Sequence, residues 1–197
     1  LPLYQRGYAP IEFCEVASMS MEHISGRYLA QSEGGFYSDA DAARARIEHL
    51  ESDLTFWPYM AVVDAFQHWV YTHPEHTREE RTAFWRSLRK RFGGIEDMEG
   101  YEANADSGWQ RQLHLFTSPF YYIEYGIAQL GALQLWRDAQ HDPVATMQRY
   151  KQALALGGTR GLPDIYAAAG ARLIFDEDGM RELVELVEAR LLALRNG

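Results

Sequence analysis

Apolar positions recur every three or four residues along most of the chain, and no stretch alternates apolar with polar as a half-buried strand would. The pattern predicts helices parted by glycine, proline and short polar breaks. "PIEFCEVASMSMEHISGRYLA" (10–30) opens with Pro10 at a first helical position, where a missing N–H leaves no bond unmade. "GGFYSDADAARARIEHLESDLTFW" restarts after a glycine pair, with Ser38 and Asp41 in a capping-box pattern. Pro58 should kink or divide the helical stretch around it, and "AVVDAFQHWVYTH" continues helical as far as Pro74. Thr77 and Glu80 repeat the capping pattern ahead of "RTAFWRSLRKRF", which stops at Gly93-Gly94.

"EDMEGYEANADSG" (96–108) reads as a polar loop and the best place for a mobile connection. The aromatic stretch 109–140 reads as two helices, or one broken near Pro119. Asp142 caps a helix with Pro143 at its first position, and Asp176 caps a last amphipathic helix, "GMRELVELVEARLLAL". No repeat of fixed period appears, and no linker is long enough to demand two domains. The expected fold is all-α, a single multi-helix domain over residues 1–197.

Composition narrows the classes of function. A chain of 197 residues with 47% hydrophobic and 13% aromatic residues is a folded protein with a proper core. Its net charge of −9 argues against a general nucleic-acid grip, which needs clustered cations. The basic run "RSLRKRF" (86–92) is read as the exposed last turns of a helix. The single cysteine excludes an internal disulfide and any zinc site built on cysteine pairs, and Cys14 is expected to be a small packed residue. No signal peptide or membrane-crossing run is found, so the expectation is a cytoplasmic protein with no membrane partner.

Candidate chemistry begins in "FCEVASMSME" (13–22). On a helical wheel Glu12, Glu15, Ser18, Met19, Glu22 and Gly26 share one arc, opposite Phe13, Ala17, Ser20, Met21, Ile24 and Tyr28. A solvated acidic stripe normally mixes in lysine and arginine. Here serine, methionine and glycine separate the acids, which lets another helix or an ion come close. A carboxylate enclosed there must be paired or metal-bound. Tyr122 and Tyr125, at i and i+3 on a helix, can bring their phenols together as donors that stay protonated at neutral pH. The alternative is that they are core aromatics with satisfied hydroxyls. His23, His49, His68, His73, His76 and His141 have no ligand-like spacing and are expected to cap helices or face solvent.

The segment "PIEFCEVASMSMEH" resembles the third-ligand helix of the M3 family of zinc metallopeptidases, the oligoendopeptidase F and thimet oligopeptidase group. That family carries an HExxH helix and then, about two dozen residues on, an acid in an E-x-x-S-x-x-x-E setting. The resemblance implies that Glu15 is a ligand of the catalytic zinc (Zn2+), and that Glu22 hydrogen-bonds a zinc-ligating histidine. "HLFTSPFYYIEYGIAQLGA" (114–132) resembles the family's histidine and paired-tyrosine segment. It implies that Tyr122 and Tyr125 contact the substrate carbonyl and that His114 is the histidine preceding them, with Tyr121 able to exchange roles with Tyr122. "ALALGGTRGLPDIYAAAGARLIFD" (153–176) resembles a segment near the end of oligoendopeptidase F sequences.

No HExxH occurs in these residues; "MEHIS" places Glu22 and His23 in the wrong order. In the family that motif supplies two zinc ligands and the general base. The resemblance therefore implies the C-terminal portion of a zinc oligoendopeptidase. Its partners would be an oligopeptide substrate and the N-terminal part of the same peptidase, and the isolated chain would be inactive. The alternative is a non-catalytic helical module, derived from that fold, which binds a peptide or a protein. A helical scaffold with no site stands behind both.

Overall fold

The computed structural model describes residues 8–93 and 97–196. These form nine α-helices: α1 (Ile11–Ser25), α2 (Asp39–Thr72), α3 (Arg78–Phe92), α4 (Glu102–Asp106), α5 (His114–Thr117), α6 (Tyr122–His141), α7 (Pro143–Leu156), α8 (Leu162–Ala169) and α9 (Glu177–Asn196). Among the described residues the extended pairing is one isolated bridge, Ala30 to Tyr37, so the all-α expectation holds.

The helix boundaries lie where local chemistry puts them. Ser38 Oγ accepts the Asp41 N–H at 3.1 Å, and Thr77 and Glu80 form a full capping box. Asp142 accepts from Ala145 N at 3.0 Å and Asp176 from Gly179 N at 2.7 Å. Two prolines depart from expectation. Pro10 sits one residue ahead of α1, with ψ 132°. Pro58 lies inside α2 without dividing it. Gly93 ends α3, while Gly94 lies outside the described residues.

The chain divides into two compact units, Leu1–Leu54 with Ile127–Gly197, and Thr55–Gly126. No linker marks the division, because it falls within α2 and α6. Pro58 has no N–H for the Leu54 carbonyl, so α2 lacks one backbone bond at that point.

In the first unit Phe13 and Val16 of α1 pack with Ala128 and Leu135 of α6, Tyr150 and Ala153 of α7, and Ile165, Tyr166 and Ala169 of α8. The two tyrosines bring a polar end into this core and satisfy it. Tyr150 Oη donates to Ala17 O at 3.1 Å and Tyr166 Oη to Ile127 O at 3.0 Å. Buried Gln134 exchanges two hydrogen bonds of 2.9 Å with the Arg172 backbone, which ties the segment after α8 to α6. The last helix buries Gly179, Leu183, Val187 and Leu191, the stripe its sequence predicts.

Gly131 fixes how closely α6 meets this core. A Cβ there would lie 2.8 Å from Tyr166 Cε1 and 2.9 Å from Val16 Cγ2. Overpacking of that kind costs about 1–3 kcal/mol, against which alanine's better helix propensity returns about 1 kcal/mol at most. Gly131→Ala is therefore expected to lower the urea midpoint of unfolding. An unchanged or raised midpoint would show that α1 and α8 yield to the added methyl.

In the second unit Phe66 meets Trp85 edge-on at 5.1 Å between ring centres, and Trp109 at 5.8 Å. The polar stretch 97–108 is not simply a loop, as its sequence suggests, because it contains α4. Trp85 Nε1 donates to Ala105 O at 3.0 Å, and the Arg86 guanidinium grips both oxygens of Asp106. Both donors come from the basic helix α3, whose last turns are otherwise the exposed charge that was expected. Glu96 lies outside the described residues.

Candidate functional site

Candidate residues occur in both units. In the first, α1 sets Glu15 and Glu22 two turns apart on one face. Glu15 is half-buried, and Ser18 Oγ donates to its carboxylate at 3.1 Å and to its carbonyl at 3.0 Å. Glu22 has a side chain 63% exposed, with Oε2 3.7 Å from His49 Nε2. The enclosed carboxylate expected from the small-residue arc is thus seen at Glu15 only in part, and Glu22 looks to solvent. Cys14, expected to be packed, is exposed, because the buried stripe of α1 runs through Phe13, Val16, Ser20 and His23 instead.

His23 is the larger correction. Far from capping a helix or facing solvent, it is 6% exposed. Its ring stacks on that of half-buried His49 at 4.4 Å and 10° between planes, and lies 5.5 Å from Trp136. Its Nε2 is 3.4 Å from Oδ2 of Asp53, a buried acid on α2. The other Asp53 oxygen accepts from Gln129 Nε2 at 2.6 Å, while Oδ2 accepts no hydrogen bond. Sequence reasoning passed over Asp53 entirely. The one signal present was its place four residues after His49, which puts both on one face of α2. His68, His73 and His141 are exposed, as expected.

Burial shapes the charges of this cluster. Loss of water around His23, aided by its neighbour His49, holds its pKa down at about 3 from an ordinary 6.5. Burial raises Asp53 from 3.8 to about 7; the Gln129 bond opposes that rise and the Glu22 charge adds to it. A lowered histidine gives stability that is present above 6.5 and lost as pH falls toward 3. A raised acid gives stability that is present below 3.8 and lost as pH rises through 7. Between about pH 4 and 6.5 the two slopes oppose, so the pair is nearly silent.

Removing either partner should expose the other. With chelator present, Asp53→Asn is expected to lose stability toward acid, by up to about 1.4 kcal/mol per pH unit, and His23→Gln to lose it toward neutrality. Urea midpoints measured from pH 4 to 7 read both slopes. The same flat profile in both variants would show that neither group holds a displaced proton.

In the second unit a polar relay runs through an aromatic cluster. Tyr59 Oη donates to Gln112 Oε1 at 3.0 Å, and Gln112 Nε2 lies 2.8 Å from His114 Nδ1. With the amide so oriented, Nδ1 is an acceptor and the imidazole proton sits on Nε2, 3.2 Å from Tyr125 Oη. In that arrangement His114 donates to Tyr125 Oη. Tyr122 is 8% exposed among Phe56, Tyr59, His114 and Tyr125, its ring 5.5 Å from that of Tyr125. Burial and the two neighbouring phenols push Tyr122 up to about 12, so it stays protonated at any physiological pH. Tyr121 and Tyr125 are half-buried, with rings 5.2 Å apart.

Just before these tyrosines the backbone is strained. Phe120 has φ 61°, rare for a bulky residue, and its N–H is held by Gln67 Oε1 at 2.9 Å. That turn comes directly after Pro119, the break expected in this stretch, and sets the register in which α6 begins.

The sequence profile of Peptidase family M3 matches residues 4–185. The chain belongs to peptidase family M3. Among solved structures it is similar to a PZ peptidase A determined with an inhibitor, at 29% identity and TM-score 0.88, over 96% of this chain and 33% of that one. An oligoendopeptidase F gives 33% identity and TM-score 0.81, over 93% and 32%. Another oligoendopeptidase F, from Bacillus anthracis strain Ames, gives 30% and 0.76, over 96% and 30%. The chain thus spans about a third of the solved chains it matches. No curated protein matches it. Among the described residues no helix is long and apolar enough to cross a membrane.

Proposed function

We propose that these residues are the C-terminal part of a zinc-dependent oligoendopeptidase that cleaves oligopeptides in the cytoplasm. One observation carries the reading. A chain that matches family M3 over residues 4–185 sets Glu15 and Glu22 two turns apart on α1. The donor chemistry fits zinc, because Glu15 offers a hard carboxylate oxygen whose geometry Ser18 steadies. One donor does not complete a catalytic site. An upstream segment would supply two histidines and the general base.

When bound, zinc supplies a water acidic enough to attack a carbonyl near neutral pH. Glu15 would hold the ion, and Glu22, open to solvent in this chain, would accept the outward N–H of a histidine ligand and orient its ring. Tyr125, with His114 donating to its oxygen, and Tyr122, kept protonated by burial, donate toward the oxygen on which charge develops.

The reading frame upstream of Leu1 tests this. An HExxH-coding segment about two dozen residues before Glu15 is the expected result, together with chelator-sensitive cleavage of a short fluorogenic peptide by the longer protein. The 197-residue chain alone should not cleave it. A frame with no such segment would overturn the enzymatic reading in favour of a peptide- or protein-binding module.

A further inference from the structure

We propose that His23, His49 and Asp53 form a second metal site, for Zn2+ or a divalent ion of like preference, independent of the ion that Glu15 would hold. The three residues offer ligand atoms that all lie within 4.8 Å of one another. Two imidazoles and a carboxylate are a donor set suited to zinc.

The distance between His23 and Asp53 is the main evidence. At 3.4 Å, with Oδ2 making no hydrogen bond, the contact is longer than an ordinary hydrogen bond between these groups. It matches the edge of a tetrahedral zinc site, about 3.4 Å for Zn–N and Zn–O bonds of about 2.1 Å. A buried carboxyl oxygen held only by that long contact is poorly satisfied, and Asp53 is 5% exposed. Gln129 fixes the far oxygen at 2.6 Å, the support that metal-binding carboxylates commonly receive.

His49 must move. Stacked rings aim their lone pairs along parallel planes, so His49 has to turn before it shares an ion with His23. It has the room, since its side chain is 34% exposed. His23, His49, Arg46 and Trp136 line a cavity of about 610 Å³ in the same unit, through which an ion and a fourth, water ligand can enter. The proposal does not rest on the peptidase reading, because all three ligands belong to this chain.

Equilibrium dialysis of the metal-stripped chain against Zn2+ tests it, with Co2+ as a spectroscopic stand-in. One ion per chain is expected, with visible Co2+ bands of tetrahedral intensity, and Glu15→Ala should leave both unchanged. His49→Ala should weaken binding by more than about 100-fold, beyond what losing an outer partner costs, and Gln129→Ala by about 10-fold. Asp53→Asn should also abolish it; should that buried variant fail to fold by circular dichroism, the half-exposed His49 decides alone. Absence of stoichiometric binding in the wild type, or full binding in His49→Ala, overturns the proposal. Loss in Glu15→Ala with retention in His49→Ala would place the ion at the peptidase ligand instead.

Discussion

Tyr125→Phe, made in the longer peptidase, is expected to lower kcat by about 10²–10³ while zinc content and folding persist. The phenol is half-buried and its oxygen receives the His114 Nε2 proton, which biases its own O–H toward donation. Donation to an oxyanion counts mostly in the transition state, since the ground-state carbonyl is a poorer acceptor, so KM should move much less. Tyr122→Phe is expected to act in the same direction. Its hydroxyl stays protonated, with its pKa near 12, but the ring is packed on every side by aromatics. Part of its effect should therefore appear as lost stability. Tyr121→Phe, half-buried beside Tyr125, is the control for register. Wild-type kcat in both Tyr122→Phe and Tyr125→Phe would remove the catalytic role, and a large loss in Tyr121→Phe alone would transfer it one residue.

Glu15→Ala in the same longer protein is expected to remove the catalytic zinc. A catalytic zinc ordinarily has three protein ligands, and deleting a direct one leaves too few to hold it. Glu22→Ala should weaken zinc by only about 10–100-fold, the range for a residue that orients a ligand from outside. Full catalytic zinc in Glu15→Ala would show that another residue is the ligand. A content assay must separate this ion from one at His23, His49 and Asp53, and adding His49→Ala to the background does so.

Much of this protein is dictated by local rules in its sequence. A cap is settled within four residues, so Ser38, Thr77, Asp142 and Asp176 mark the starts of their helices as read from the sequence. Helical spacing likewise puts Glu15 and Glu22 on one face of α1, and the buried stripe on α9. Short spaced patterns also carried the resemblance to family M3, which matches over residues 4–185.

Tertiary packing decided what no local pattern carries. Pro58 stays within α2 despite its missing N–H, and residues 102–106 become helical beside Trp85 and Arg86, which hold Ala105 and Asp106. Solvent reaches Cys14 and is excluded from His23, one helix face apart, and only the neighbours of α1 determine which. The His23, His49 and Asp53 cluster needs two helices to approach within bonding distance, with Gln129 of a third. Periodicity reports which residues share a face of one helix, whereas a site shared between helices depends on packing of distant segments.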